Sequence, residues 1–238
     1  MISIDKLTVK FGGVTALDAV CVDLHATVCG IIGPNGAGKT TFLNVMSGFN
    51  TPVEGSITVF NQPLLKMRPH ERARWGLRRS FQQEQVADEL TVFENVAVIL
   101  DALRIDRADR HAMIDAALEF VHLSDLRNHK TENLSSLERR MTEIARCIVG
   151  QPRIVMLDEP GAGFSQTEVE RLRDVLIGIY DFSGAMTLLI DHDVDLIRAT
   201  CVETMVLDFG SLVINGKTED VLEDERVRRV YLGVEELE

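Results

Sequence analysis

The feature that most constrains what this chain can fold into is residues 33–41, GPNGAGKTT. It fits the pattern G-x-x-x-x-G-K-[ST], whose required positions are filled by Gly33, Gly38, Lys39 and Thr40. An apolar run, residues 28–32, precedes the loop, and residues 41–47 continue with helical spacing. A buried strand, a glycine loop and a helix in this order predict a phosphate-binding loop.

The residue types of the loop suit a nucleoside triphosphate with magnesium. Glycines let successive N–H groups turn into one concavity, and the following helix adds the positive end of its dipole. Lys39 is placed to reach the β- and γ-phosphates, and the Thr40 hydroxyl to ligate Mg²⁺. A glycine-rich turn that binds nothing is disfavoured because the motif and both flanks are in register. The predicted nucleotide-binding residues of the loop are Gly33, Asn35, Gly36, Ala37, Gly38, Lys39, Thr40 and Thr41.

Composition excludes several classes of protein. The chain has 238 residues, 45% of them hydrophobic, which is ordinary for a globular domain. Its formal net charge is −12, it has no block of lysine and arginine, and aromatic residues are few, so we expect no nucleic acid partner. The four cysteines lack C-x-x-C spacing and predict small buried side chains rather than disulfides or a zinc site.

The N-terminus and the apolar runs predict a cytoplasmic chain. Residues 1–11 alternate like a strand and lack the charged start and long apolar centre of a signal peptide. No run approaches the 18 or so apolar residues of a membrane helix. Any membrane contact is therefore expected to go through a partner.

The chain begins with a predicted antiparallel flap. Residues 2–24 read as short strands with a turn at Gly12 and Gly13. Phe11 lies at that turn, where it could stack on a purine base or serve as a strand-end hydrophobe, and the sequence leaves both open. Further predicted elements are a short helix at 69–76, a strand at 77–82, a helical block at 91–127 with a Thr91 and Glu94 capping box, and within it a helix at 112–121.

A second carboxylate-bearing motif follows a helix predicted at 135–149. The apolar strand at 153–157 ends in Asp158 and Glu159, and the carboxyl end of a buried parallel strand is where doubly wound sheets place their sites. Asp158 can hold magnesium and Glu159 can orient or deprotonate water. Alone, such a pair reads equally well as a turn; beside a phosphate loop it favours a site. The remaining predicted elements alternate: helix 167–180, strand 187–190, turn 191–193, helix 194–199, strands 203–208 and 211–214.

Taken together, these motifs resemble the ATP-binding subunits of ABC transporters, and in detail those of bacterial branched-chain amino acid importers. The resemblance runs from end to end. It is carried by LTVKFGG at 7–13, RSFQ at 79–82, LTVFENV at 90–96, LIDHD at 189–193 and VYLG at 230–233. It implies an α/β P-loop ABC ATPase with a parallel core sheet, an antiparallel β flap and an inserted helical subdomain.

The resemblance also implies an organisation and residue roles. Residues 1–82 and 150–238 would form a RecA-like core with the flap, and residues 83–149 the helical subdomain. Phe11 would stack on the base, Gln82 would sense magnesium and the transport subunit, Asp158 would hold the metal, Glu159 would be the general base and His192 would contact the γ-phosphate. Without the resemblance Gln82 is a strand-end amide, with Gln83 equally eligible, and His192 is a turn residue.

The implied partners are a second ATP-binding subunit, two transmembrane permease subunits and, indirectly, a periplasmic or extracellular solute-binding protein. The chain would then lie on the inner face of the membrane and hydrolyse ATP to drive uptake. Branched-chain amino acids follow from likeness only; amides, urea and other small polar solutes fit as well.

The chain departs from its family at the signature. LSSLE at 134–138 stands where the family has LSGGQ, so Ser135 is kept while Leu137 adds bulk and Glu138 adds negative charge. Ser165 stands where the family has Asn or Asp. Because the signature of one subunit covers the ATP of the other, an altered signature would weaken only one site of a heterodimer. We therefore expect a heterodimer.

Two other functions stay open. A soluble ABC ATPase is disfavoured because the chain has no long coiled-coil pattern, second ATPase half or basic surface. A nucleotide-binding interaction subunit with weak hydrolysis is favoured by the altered signature and opposed by the intact Lys39, Asp158, Glu159 and His192.

Overall fold

The computed structural model describes residues 1–103 and 105–231, so position 104 and residues 232–238, which include the end of the VYLG motif, lie outside the description. The chain divides into two compact units. The first unit contains residues 1–73 and 188–238, and the second contains residues 74–187. The proposed boundaries of the RecA-like core and helical subdomain, at 83 and 149, remain a proposal.

The strands are β1 (Ile2–Phe11), β2 (Val14–Leu24), β3 (Val28–Ile32), β4 (Glu54–Val59), β5 (Gln62–Pro63), β6 (Leu77–Arg79), β7 (Ile154–Asp158), β8 (Met186–Ile190), β9 (Glu203–Asp208) and β10 (Ser211–Lys217). The α-helices are α1 (Lys39–Ser47), α2 (Pro69–Trp75), α3 (Val92–Asp101), α4 (Arg107–Phe120), α5 (Ser136–Ile148), α6 (Gln166–Ser183), α7 (Val194–Thr200), α8 (Thr218–Glu223) and α9 (Glu225–Tyr231).

The first unit contains the predicted antiparallel flap. Its four strands lie in the order β2-β1-β4-β5, and each neighbouring pair is antiparallel. Ile2 and Ile4 of β1 are buried and stand opposite Leu24 and Val22 of β2, so one face of the hairpin supplies core side chains.

The phosphate loop of the first unit is held between a buried strand and a helix, as the sequence predicts. All five residues of β3 are buried, and β3 pairs in parallel with β9. A strand buried on both faces reads as a continuous apolar run, which is why residues 28–32 carry no polar side chain. Helix α1 begins at Lys39, inside the motif and two residues before the predicted helical spacing, and ends at Ser47, before Gly48 in the left-handed conformation.

Gly33 opens the loop at a position where no side chain fits. Its φ is +150°, and a Cβ built there would lie 2.0 Å from the carbonyl oxygen of Leu207. We predict that Gly33→Ala lowers the free energy of unfolding in urea by about 3 kcal/mol or more. Gly13→Ala is the matched control, because a Cβ there has no atom within 4 Å. Equal stability of the two variants would contradict this prediction.

The second unit combines a parallel strand pair with helices. Strands β6 and β7 pair in parallel, with Arg79 opposite Met156. The Thr91 and Glu94 capping box at the start of α3 is confirmed, with both reciprocal hydrogen bonds present. Helix α4 begins at Arg107 rather than Ala112, because its first turn is polar and shows no apolar periodicity in the sequence.

Strand β6 ends at Arg79, three residues earlier than predicted. Ser80 still donates its N–H to the carbonyl oxygen of Met156. Beyond Ser80 the main chain bonds to side chains of α5 instead of to β7. The ladder therefore stops before Gln82.

Among the described residues the four cysteines are free thiols, and only Cys21 is exposed. Burial raises the pKa of Cys147 and of Cys201 to about 12 and raises the pKa of Cys29 further. The prediction of small buried side chains is confirmed for Cys29, Cys147 and Cys201 and is wrong for Cys21. The single tryptophan, Trp75, lies in the second unit with the Arg153 guanidinium 5.2 Å from its ring centroid.

No helix in residues 1–103 and 105–231 has the length and apolar character needed to cross a membrane.

Candidate nucleotide-binding and hydrolysis residues

Lys39 is the best-defined functional side chain of the first unit. It is buried, and its Nζ donates to the carbonyl oxygens of Gly33, at 2.6 Å, and Pro34, at 3.0 Å. Through these bonds the ammonium group lies against the first two residues of the loop. The loop thus carries a fixed positive charge alongside its backbone N–H groups.

The turn into α1 also requires glycine. Gly38 has φ +104°, and a Cβ there would lie 2.6 Å from the carbonyl oxygen of Ala16. Ala37 is buried, whereas Asn35, Gly36 and Thr40 are exposed and Thr41 is partly exposed. The exposed members of the loop are therefore accessible to a ligand.

Two further predicted residues lie in the first unit. Phe11 ends β1 at the hairpin turn and is 51% exposed, so its ring is open to a planar ligand. His192 is exposed and follows β8, whose last three residues belong to the same unit. Asp193 caps α7 by accepting the N–H groups of Asp195 and Leu196, which fixes the chain just after His192.

The second unit places the predicted carboxylates at the end of β7. Asp158 is buried, and its Oδ2 accepts a hydrogen bond from Arg79 Nη2 at 2.9 Å. The Asp158 N–H donates to Ser80 Oγ at 3.2 Å. The residues that follow β6 therefore hold the carboxylate in one orientation.

Glu159 is held differently from Asp158. Its Oε2 accepts a hydrogen bond from Gln82 Nε2 at 2.9 Å, so two predicted catalytic residues are in direct contact. Glu159 has φ +49°, a conformation that is uncommon for residues other than glycine. The bond selects Gln82, rather than the neighbouring Gln83, as the amide that faces the carboxylate.

Arg79 and Ser80 are site residues that our reasoning from the sequence did not assign. Both lie in the RSFQ motif, which was the available signal. Their role depends on a contact with Asp158, 79 and 78 positions further along the chain, which no local pattern reveals. Burial lowers the pKa of the Arg79 guanidinium, and the Asp158 carboxylate opposes that shift.

We predict that Arg79→Met lowers the free energy of unfolding by about 3–5 kcal/mol, because it leaves a buried carboxylate without its partner. Only 5% and 4% of the Arg79 and Asp158 side chains are exposed. Denaturant unfolding of the nucleotide-free chain measures the effect. Arg173→Met is the control: its ion pair with Asp174 is largely solvated and should be worth less than about 1 kcal/mol. Similar losses in the two variants would contradict the importance of the buried pair.

The altered signature forms a closed cap at the start of α5. Ser135 donates its N–H and its hydroxyl to Glu138 Oε2, each at 2.8 Å, and its Oγ accepts the Glu138 N–H. Leu137 is only 2% exposed, because the second helical position of α5 faces inward. The effect of its bulk on a partner's nucleotide stays a prediction. Ser165 and Glu168 make a similar contact at the start of α6.

The predicted metal ligands suit Mg²⁺ chemically. Thr40, Gln82 and Asp158 offer hydroxyl, amide and carboxylate oxygens, the hard donors that Mg²⁺ takes alongside phosphate oxygens and water. The part of the chain that the structure describes has no group of three histidine, cysteine or acidic side chains able to hold a metal alone.

The fold and these residues define a class of protein. A glycine loop with a buried lysine joins β3 to α1, and the same chain carries Asp158 and Glu159 at the end of buried β7. This combination is that of a P-loop ATPase with an antiparallel flap.

Comparison with known proteins identifies the family. The family model described as ABC transporter matches residues 21–162. The chain is 34% identical to the high-affinity branched-chain amino acid transport ATP-binding protein LivG of Escherichia coli K12, over 98% of each chain. It is 36% identical to the lipopolysaccharide export system ATP-binding protein LptB of Acidithiobacillus ferridurans, over 87% of this chain and 85% of that protein. The chain therefore belongs to the ABC transporter ATP-binding family.

Solved structures agree with this assignment. The ADP conformation of MJ1267, an ATP-binding cassette of an ABC transporter, is 28% identical and superposes with a TM-score of 0.84 over 98% of this chain and 99% of that one. The predicted fold class is confirmed: an ABC ATPase with a parallel core sheet, an antiparallel flap and helices.

Proposed function

We propose that this chain is the ATP-binding and ATP-hydrolysing subunit of an importer that takes up branched-chain amino acids or similar small polar solutes through partner permeases. The observation that carries the proposal is the contact between Gln82 and Glu159 in a chain whose phosphate loop is complete. The end-to-end likeness to LivG supports import, since LptB, from an export system, matches a smaller share of the chain.

Each predicted residue has a chemical role in this function. The loop N–H groups, Lys39 and the Thr40 hydroxyl would hold the phosphates, and Phe11 would stack on the adenine. Glu159 would accept a proton from the attacking water, with Gln82 orienting its carboxylate. His192 would donate to the γ-phosphate.

The residues that would offer oxygens to magnesium are Thr40, Gln82 and Asp158, and the ion would neutralise charge on the phosphates when bound. Arg79 Nη2 binds Oδ2 of Asp158 at 2.9 Å within the second unit. The chain's own task at this carboxylate is to fix its orientation before the nucleotide arrives.

The proposed partners are a second, different ATP-binding subunit and two permeases, which would bring the chain to the inner face of the membrane. The heterodimer is supported by the signature: Ser135 is engaged by Glu138 rather than presented to a neighbouring chain. A solute-binding protein would act outside the membrane without touching this chain. We further propose that the chain is organised as a RecA-like core, residues 1–82 and 150–238, with a helical subdomain, residues 83–149.

Purification of the tagged chain from gently solubilised native membranes tests this function. We expect mass spectrometry to identify two multi-span permeases and a second ATPase in the purified material. Recovery of components of an export system in place of the importer permeases would contradict import.

Recovery of the chain alone from the soluble fraction would favour a soluble ABC ATPase. Unchanged ATP turnover of the recovered complex after Glu159→Gln in this chain would favour the remaining alternative, an interaction subunit with little hydrolysis of its own. Each result contradicts a different part of the proposal.

A further inference from the structure

The main chain of residues 81–85, which we call the glutamine segment, is held by side chains of α5. The segment has no regular secondary structure, so its N–H and C=O groups need partners other than a strand or helix ladder. The N–H groups of Phe81 and Gln85 both donate to Glu143 Oε1, each at 3.3 Å. One carboxylate oxygen thus ties both ends of the segment.

Two arginines of the same helix bind the carbonyl oxygens of the segment. Arg140 donates to Phe81 O from Nη1, at 2.9 Å, and to Gln82 O from Nη2, at 3.0 Å. Arg146 donates to Gln85 O. The planar guanidinium of Arg140 therefore bridges two consecutive carbonyl groups, a geometry that lysine cannot reproduce.

Glu143 and Arg140 also neutralise each other inside the second unit. Glu143 Oε2 accepts a hydrogen bond from Arg140 Nη1, and 0% of the Glu143 side chain and 4% of the Arg140 side chain are exposed. Burial raises the pKa of Glu143 above its ordinary value, while Arg140 opposes that shift. Burying a carboxylate costs desolvation energy. The four hydrogen bonds that the pair makes to the main chain of the glutamine segment help to offset this energy.

We propose that Glu143, together with Arg140, is a positioning residue for ATP hydrolysis that acts through Gln82. Arg140 donates to the main-chain carbonyl oxygen of Gln82, and the Gln82 side chain donates to Glu159 at 2.9 Å. A shift of the segment would move the amide away from the carboxylate that it orients. This inference rests on the proposed function for its catalytic part only.

The same helix begins at the altered signature. Ser135 caps α5, and Glu143 lies eight residues further along, about 12 Å at 1.5 Å per residue. Because α5 is a continuous helix of 13 residues, Ser135 and the side chains that hold the glutamine segment belong to one element. The start of α5 and the amide at Glu159 are thereby linked within one unit.

Hydrogen exchange on the isolated full-length chain tests the first half of the proposal. Glu143→Gln keeps the size of the side chain but presents a donor to Arg140. We expect exchange of the Phe81 and Gln85 amides to accelerate about tenfold or more. Ile144→Val is the matched control, because it removes one buried methyl group from the next position of α5 and should leave both amides unchanged.

A double-mutant cycle tests the second half. In the complex recovered from native membranes we expect Glu143→Gln to lower kcat about tenfold with little change in KM. In a Gln82→Ala background the same substitution should have almost no further effect, since it acts through Gln82. A merely structural role for Glu143 would instead lower kcat by the same factor in both backgrounds.

The outcomes separate this inference from the proposed function. Unchanged amide exchange in Glu143→Gln would overturn the inference whatever the partners are, and so would additivity in the cycle. Accelerated exchange with no partners recovered would support the tie to α5 and contradict the importer. If Glu143→Gln does not accumulate as folded protein, Arg140→Lys provides the same test. Lysine keeps the positive charge but lacks the planar guanidinium that bonds two carbonyl groups at once.

Discussion

Replacing Lys39 by methionine is expected to abolish the thermal stabilisation that Mg-ATP gives this chain and to lower ATP turnover about 10²- to 10³-fold. Lys39 is the buried cation of the phosphate loop, and no neighbouring loop residue can replace its charge. A ligand that binds only the folded state stabilises it by about 2.7 kcal/mol at 100 times its Kd, so loss of binding removes a measurable shift in Tm.

Lys66→Met is the control for this substitution, because Lys66 is exposed in the same unit and lies outside the loop. The nucleotide-free Tm of both variants must also be measured, since Lys39 bonds two loop carbonyl groups. A Lys39→Met chain that ATP stabilises as strongly as it does the original would show that the loop does not bind phosphate.

Glu159→Gln is expected to retain ATP binding and to lower turnover by about 10²- to 10⁴-fold. The amide has the shape of the carboxylate, and its oxygen can still accept the hydrogen bond from Gln82, but it cannot take a proton. Steady-state turnover together with nucleotide retention measures the two effects separately. Glu170→Gln, on the exposed side of α6, is the matched control.

The same variant tests the heterodimer. With Mg-ATP, light scattering of isolated Glu159→Gln should give the mass of a monomer, because the Ser135 and Glu138 cap favours its own chain over a second copy. A tight homodimer of the isolated variant would contradict the heterodimer and leave the capped signature compatible with two identical sites.

The elements that sequence patterns predicted are those whose causes are local. The phosphate loop required glycines at fixed spacing between an apolar run and a helix, and β3 and α1 lie where that pattern placed them. The Thr91 and Glu94 box likewise needed only two residues three positions apart. Interactions between residues close in the chain can therefore be predicted from the sequence alone.

The parts that could not be predicted depend on distant partners. The first two residues of the glutamine segment, 81 and 82, were included in the predicted strand 77–82, yet the main chain there bonds to side chains about 60 positions away on α5. Arg79 was unassigned because Asp158 lies 79 positions further on.

Trp75 confines the tryptophan fluorescence of the chain to one of its two units. It is the only tryptophan and lies in the second unit, with the Arg153 guanidinium 5.2 Å from its ring centroid, so tryptophan emission reports on the surroundings of this one ring. Far-ultraviolet circular dichroism, which averages over the whole backbone, has no such bias. Denaturation curves that coincide by both methods would mean that the two units unfold cooperatively, and curves that separate would resolve them as independent folding units without any added label.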